Sequence, residues 1–412
     1  MTNIWFFGSY DQPLGESNRT HLFSQSLSFD SNLNVSFYCN SFCHFRKIQR
    51  IKIYGLFKRQ FCNKVLINWI NTPSYYNNGI FRVLNMIVNF LGLFFVGLFQ
   101  RHKPDIIIGT SVPITSAFAG VLVAKLRKSK FIYEIRDLWP EALVSLGGIR
   151  RGGFAHELML LIEKYILSHS DAVVTALPYV ESHVRERGLP DNAKVCWIPN
   201  PVPIEDVYTK TNYLQSFSTF NLVYIGGFGR FHDIQTIVDA AAFLHDSEVK
   251  GIAIHLFGGG EFYSHYENLA KSKSLTNIHF HGRISKEFIL PLQREADSLL
   301  ATVPNSELFK FGINPNKIVN YMLSGKPIIY CGPLSTNNPI AESGSGLSIP
   351  AGDARSLYDA ILHLYKHRDT EVFEIYRKNG LSYSNKNYSI SVLGRRYLEL
   401  FSTLISRDFK NG

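Results

Sequence analysis

Apolar bursts of four to six residues alternate with longer amphipathic stretches along the whole 412-residue chain, and this rhythm constrains the fold more than any other feature. Short apolar runs separated by helix-length segments build βαβ units and mostly parallel sheets. Amino-half strands are expected at 4–9, 33–39, 105–110, 130–137, 172–176 and 195–200. Carboxy-half strands are expected at 220–227, 252–259, 278–282, 298–303, 327–332 and 346–350. Between the two sets lies PNPVPIEDVYTKTNYLQSFSTF (199–220), rich in Pro, Asn and Thr and without periodicity, which reads as a linker. A chain of this length exceeds one ordinary core, so two doubly wound domains joined near residue 205 are expected. Ligands of such sheets sit at the carboxyl ends of the strands, and the strand-to-helix turns are where chemistry is sought.

A composition 45% hydrophobic and 18% charged excludes a disordered chain. The formal charge of +10, with a pI near 9.2, asks for partners of opposite sign: anionic lipid head groups, nucleic acid or phosphorylated substrates. Nucleic acid is the least favoured, because no recognised binding module accompanies the charge. Cys39, Cys43, Cys62, Cys196 and Cys331 are odd in number and form no CxxC or His/Cys ligand spacing, which suits a reducing cytoplasm without structural zinc. The amino terminus, MTNIWFFGSYDQPLG, reads as a first strand and not as a signal peptide. Residues 83–99, VLNMIVNFLGLFFVGLF, are uncharged and flanked by Arg82 and by Arg101, His102 and Lys103. Upstream, FRKIQRIKIYGLFKRQF (45–61) interleaves cations with apolar side chains. Together they read either as a surface entering the membrane interface or as a core helix beside a solvated basic face.

Three turns of the carboxy half could hold phosphate. Strand 220–227 runs into GGFGRFHD, where glycines allow close backbone approach and Arg230 offers a fork of donors. Strand 252–259 ends in FGGGE (257–261). Neither is a dinucleotide fingerprint, and a Walker A motif is absent, so each could equally serve only as a tight turn. The third is FGINPNKIVNYMLSGKPIIYCG (311–332). With Pro315 near the first helical position, the N–H groups of Asn316, Lys317 and Ile318 would point outward beside the Lys317 ammonium. Free N–H groups, helix dipole and ammonium make an anion site suited to a diphosphate. An ordinary asparagine cap with a solvent-facing lysine is the alternative.

The chain resembles the GT-B-fold glycosyltransferases of family 4 (group 1), in the branch that builds O-antigens, capsules and exopolysaccharides. The motifs carrying this are KPDIIIGTSVP (103–113), YEIRDLWPEALVSLGGI (133–149), VVTALPYVESHVRERGLP (173–190), VCWIPNPV (195–202), LVYIGGFGR (222–230), FGGGE (257–261), IHFHGRISKEFI (278–289) and GINPNKIVNYMLSGKPII (312–329). The resemblance implies an α/β GT-B fold: two Rossmann-like doubly wound domains facing a central cleft. Their expected spans are 1–203 for the acceptor and 204–385 for the nucleotide-sugar, with a helix in 386–412 returning to the amino-terminal domain. It implies a retaining glycosyltransferase that moves a sugar from a nucleotide-sugar, UDP-sugar favoured, to a polyprenyl-diphosphate-linked saccharide. The enzyme would work at the cytoplasmic face of the bacterial inner membrane, with no nucleic-acid partner.

By the same resemblance, Arg230 and Lys317 neutralise the donor diphosphate, helped by the backbone at Gly227 and Gly229 and around Asn314 and Asn316. Gly259 and Glu261 line the second glycine turn, Arg283 and Ile284 face the base, and Asn320 meets the ribose where the family carries a carboxylate. Gly312 falls at the family's other glutamate, and the lysine usual shortly after Arg230 is replaced by FHDIQT. In the amino half Asp137 would orient the acceptor hydroxyl or donor sugar, with Arg136 and Glu141 as acceptor contacts; a helix cap by Asp137 and a first-turn Glu141 is the structural alternative. The loop after the first strand offers Gly15 to the donor and Asn18 and Arg19 to the acceptor. Retention would proceed by front-face displacement, catalysis being electrostatic and domain closure excluding water. No metal is required, a divalent cation carried in with the diphosphate being the one expected addition. The rivals are a sugar-nucleotide 2-epimerase of the same fold and a catalytically silent, nucleotide-binding partner subunit.

Overall fold

In the computed structural model the described residues are 1–11, 13, 19–77, 79–145, 147–202, 211, 213–214, 219–247, 249–314 and 316–406. They form two compact units, Met1–Pro203 with Ile390–Gly412, and Ile204–Ser389.

The first unit runs β1 (Thr2–Phe7), α1 (Arg19–Leu27), β2 (Leu33–Asn40), β3 (Phe42–Cys43), β4 (Ile48–Gln49), β5 (Phe57–Cys62), β6 (Val65–Ile70), α2 (Ile80–Phe99), β7 (Ile106–Thr110) and α3 (Ile114–Arg127). It continues with β8 (Lys130–Ile135), α4 (Glu141–Ser145), α5 (Phe154–Ser168), β9 (Ala172–Thr175), α6 (Glu181–Glu186) and β10 (Lys194–Trp197). The eight-stranded sheet has the order β10-β9-β8-β7-β1-β2-β6-β5, parallel except for β5. Strict alternation divides the core. Trp5 and Phe7 face α2, α3 and α5, whereas Ile4 and Phe6 face α1 and a late helix that carries Leu393, Tyr397, Leu400, Phe401 and Leu404. β5 and β6 were not expected, because the charges of FKRQFC read as an interfacial stretch. At the sheet edge those charges sit in solvent, and cations on an edge strand discourage pairing with another chain.

Helix α2 is amphipathic in an inverted sense. Its buried face holds Asn85, Asn89, Gly92, Leu93, Val96 and Gly97. Ile80, Leu84, Ile87, Leu91, Phe95 and Phe99, spaced by three or four residues, are exposed. Both asparagines are bonded inside: Asn85 Nδ2 donates to the Pro73 carbonyl at 2.7 Å, and Asn89 Nδ2 to Ser9 Oγ at 2.5 Å, while Asn89 Oδ1 is buried without a partner among the described residues. By length and composition α2 could cross a membrane, yet its polar and small residues are packed against its own sheet.

The second unit runs β11 (Phe220–Gly227), α7 (Ile234–Asp246), β12 (Ile252–Gly259), α8 (Tyr263–Ser272), β13 (Ile278–Gly282), α9 (Ile289–Glu295), β14 (Ser298–Thr302) and α10 (Asn316–Leu323). β15 (Ile328–Gly332), α11 (Pro339–Ser343), β16 (Gly346–Pro350), α12 (Ala354–His367) and α13 (Glu371–Tyr388) complete it, and α14 (Ile390–Ser406) is the late helix of the first unit. All six strands are parallel in the order β13-β12-β11-β14-β15-β16. The order reverses between β11 and β14, and a crevice opens at the carboxyl ends of strands where order reverses. The turn after β11 and the start of α10 both lie there.

Candidate functional site

In the second unit, α10 is pinned to the end of β11. Tyr321, fully buried, takes the Ile225 N–H on its hydroxyl oxygen at 2.9 Å and donates to the Ile225 carbonyl at 3.2 Å. One turn earlier, Lys317 Nζ sits 4.2 Å over the Tyr224 ring, whose hydroxyl donates to the Gly227 carbonyl at 2.8 Å. A Cβ at Gly226 would collide with that ammonium and would come within 2.6 Å of the Tyr224 hydroxyl, so glycine is what admits the cation to the backbone. Burial lowers the Lys317 pKa to about 8. No carboxylate pairs with it among the described residues, so an incoming anion would supply its missing counter-charge.

The chain entering α10 is held by a residue not singled out from sequence. Asn337, buried, accepts the Ile313 N–H at 2.7 Å and donates to the Ile313 carbonyl at 3.0 Å. Asn314 Oδ1 is buried without a hydrogen-bond partner. The expected free N–H of Asn316 is instead spent locally on the Asn314 carbonyl at 3.0 Å, because the chain turns there before the helix begins. Pro315 lies outside the described residues. Asn316 and Asn320 are exposed on α10, Asn320 one turn beyond Lys317.

The two glycine turns are laced together. Phe228 N–H donates to the Gly259 carbonyl at 3.2 Å, and Phe262 N–H to the Phe228 carbonyl at 2.9 Å. A Cβ on Gly259 would stand 2.9 Å from Arg283 Nε, so the glycine makes room for that guanidinium. Ile284 packs at the edge of the core with Phe257 and Leu292. Arg230 and Glu261 are exposed. Gly227 and Gly229 embrace His232, a residue that sequence reasoning passed over when it noted only a missing lysine. The structure thus gathers Gly227, Gly229, Lys317 and His232 around one turn, with Gly259 and Arg283 paired alongside.

In the first unit, Asp137 follows β8, exposed, and its carboxylate makes no hydrogen bond or ion pair among the described residues. Its carbonyl, not its side chain, accepts from Ser111 Oγ at 3.1 Å and from the Trp139 N–H at 3.0 Å, so the helix-cap alternative fails. Surrounding protein raises its pKa, opposed by Arg136. Arg136 forks onto Asp11, with Nη1 to Oδ1 at 2.9 Å, and bonds Glu134 through Nε at 3.1 Å. Glu134 is buried; burial raises its pKa, but Arg19 and Arg136 outweigh this and hold it at about 2.

Two acceptor expectations need correction. Arg19 is buried, with Nε on Glu134 at 2.9 Å, Nη1 on the Pro199 carbonyl at 2.7 Å and Nη2 on the Tyr397 hydroxyl at 3.4 Å. Its donors are consumed by the protein, which makes it an internal anchor. Glu141 opens α4, but its oxygens meet Arg151 at 2.9 Å, Arg187 at 3.3 Å and His156 at 3.6 Å. It serves as a tie between α4, α5 and α6 instead of an acceptor contact. Gly15 and Asn18 lie outside the described residues. Among those residues no group of three or more His, Cys, Asp or Glu could hold a metal ion.

Two family models match this chain: a "Glycosyl transferase 4-like domain" over residues 58–201 and "Glycosyl transferases group 1" over residues 219–367. The Escherichia coli (strain K12) protein named as a colanic acid biosynthesis glycosyl transferase, WcaI, is 25% identical over 262 residues, 61% of this chain and 63% of that protein. The match therefore spans somewhat less than two thirds of that relative. Among solved structures, sucrose-phosphate synthase from Thermosynechococcus elongatus superposes with a TM-score of 0.70 at 15% identity, over 99% of this chain and 100% of that one. Anabaena Alr3699/HepE, solved with UDP and glucose, superposes with a TM-score of 0.62 at 14% identity, over 98% and 100% of the two chains. These structural likenesses establish the fold.

Proposed function

The chain belongs to the group 1 glycosyl transferases, the two matched models covering most of it, and has their GT-B fold of two Rossmann-like units; from this we propose a retaining sugar transferase of surface-polysaccharide assembly. Its donor is a nucleotide-sugar, most simply a UDP-sugar. Its acceptor is a lipid-diphosphate-linked saccharide. One observation carries the reading: the half-buried Lys317 ammonium, without an acidic partner among the described residues, seated on Tyr224 and the Gly226 backbone at the point of strand-order reversal. The likeness to a fold neighbour solved with UDP, and to a relative named for colanic acid biosynthesis, supports the choice of donor and pathway class.

In the reaction the acceptor oxygen bonds to the anomeric carbon as the bond from that carbon to the diphosphate oxygen breaks. The acceptor proton passes to the leaving diphosphate, on the same face. Lys317 and Arg230 stabilise the charge that grows there, and preorganised cations in a poorly hydrated site are the largest lever such a site has. Asp137, whose carboxylate is uncommitted among the described residues, orients the acceptor hydroxyl. The charge work rests on protein cations, so a divalent ion would enter only with the donor. The exposed apolar stripe of α2, with Arg82 before its first turn ends and Arg101 and Lys103 after it, supports peripheral attachment to an anionic membrane on the cytoplasmic side.

The deciding experiment incubates the full chain with UDP-, GDP- and dTDP-sugars and a lipid-diphosphate saccharide, with and without EDTA, and reads product mass. Transfer from one donor class that persists in EDTA is expected; no transfer from any donor would overturn the reading. Asn320, an exposed amide, favours one second reading, a nucleotide-binding partner without transfer activity. Binding of a nucleoside diphosphate with no product would decide for it.

A further inference from the structure

Resting on the reading of the second unit as the donor half, we propose that His232 is a further ligand of the donor diphosphate, acting beside Lys317 and Arg230. Its imidazole lies against the backbone that would carry the anion: Cε1 is 2.8 Å and Nε2 3.2 Å from the point that a Cβ on Gly227 would occupy. Only glycine permits ring and turn to approach so closely. The His232 N–H donates to the Gly229 carbonyl at 3.0 Å, which roots the ring in the same turn. Nδ1 is buried and makes no hydrogen bond of normal geometry.

Among the described residues, the charged groups around the ring leave a negative partner wanting. Lys317 reaches it from α10, and Arg230 stands exposed two residues before it. Asp233, next in the chain, is spent as the cap of α7: its oxygens take the Thr236 hydroxyl at 2.6 Å and the Gly352 N–H at 3.2 Å. Burial first and Lys317 second lower the His232 pKa, while the Gly229 carbonyl favours the protonated ring. A diphosphate opposes both lowering influences by giving both bases a counter-charge. Donor binding is then coupled to proton uptake by His232, whose pKa in the free chain lies below the ordinary imidazole value, and by Lys317 from about pH 8 upward.

Isothermal titration of the full chain with UDP, in buffers of differing ionisation enthalpy, tests this. His232→Ala is expected to weaken UDP binding about tenfold, the loss of one hydrogen bond to a charged group. His232→Gln, which keeps a neutral donor, is expected to abolish the proton uptake seen on the acid side of pH 7 and to leave that near pH 8.5, where Lys317 takes up the proton. Should His232→Ala lower the melting temperature, the proton count of His232→Gln alone decides. Unchanged affinity and unchanged uptake in both variants would overturn the role of His232 and leave the donor site standing. Failure of the wild-type chain to bind UDP, GDP or dTDP would overturn the donor site and this inference together.

Discussion

Lys317 carries opposed demands: burial argues for a neutral amine, and its task requires an ammonium. The pKa of about 8 is the compromise, and transfer should therefore fall as pH rises through that value. Lys317→Ala should lower kcat/KM on the order of a hundredfold. Lys317→Arg should restore part of it and carry the alkaline fall upward, both visible in a pH–rate profile. A second titration belongs to stability. His255 is fully buried, donates from Nε2 to Asn221 Oδ1 at 3.0 Å, and so must accept at Nδ1 from His281 Nε2 at 2.9 Å. Burial first, then neighbouring imidazoles, lowers His255 to about 3 and His281 to about 4. The unfolded chain binds protons on both below about pH 6.5 and the folded one does not, so stability is full above that pH and lost as pH falls toward 4. Urea melts from pH 7 to 4.5 should show a loss of up to about 1.4 kcal/mol per pH unit for each imidazole, and His281→Asn should flatten the slope.

At the scale of elements, α2 states the clearest case of pattern read against packing. Its uncharged run was plain in sequence, but whether the apolar face turned inward was not, because Asn85 and Asn89 interrupt the stripe without saying which side they bury. Their partners Pro73 and Ser9 come from elsewhere in the chain, and only the assembled sheet brings them near. Ile87→Glu with Phe95→Glu should abolish flotation with anionic vesicles while leaving the melting temperature unchanged, since both are exposed. Asn89→Ala should do the reverse and cost about 1–2 kcal/mol in a denaturant melt, through the lost hydrogen bond to Ser9 and the space left in the packed face. The strands bearing glycine turns were legible to within a residue or two because β-periodicity and glycine punctuation agree there. β5 escaped because an edge strand need not look apolar, and β6, although apolar, is paired on both sides and follows β5 after a two-residue turn, next to the stretch read as interfacial.

On the scale of the whole molecule, the first unit is closed by the last helix. Tyr397 on α14 stands beside Arg19 and Glu134, with its hydroxyl 2.6 Å from Oε1, so a residue near the carboxyl terminus completes the ion network behind Asp11 and Arg136. Tyr397→Phe should destabilise the first unit by about 1–3 kcal/mol, the cost of a missing hydrogen bond to a buried charge, and a chain ending at residue 389 should lose the cooperative melt of that unit while retaining the second. By itself the sequence determined the βαβ rhythm, the two-domain division and Arg230 and Lys317 as candidates, because periodicity and glycine placement are local properties, and the family resemblance of its motifs added Asp137. Only the tertiary structure decided that Arg19 and Glu141 are anchors, that Asn337 grips Ile313, and that His232 shares a turn with Lys317. Those outcomes depend on which charges meet across the sheet and which are left without a partner. Nearness in space between residues from different elements of the chain cannot be read from their neighbours in the sequence.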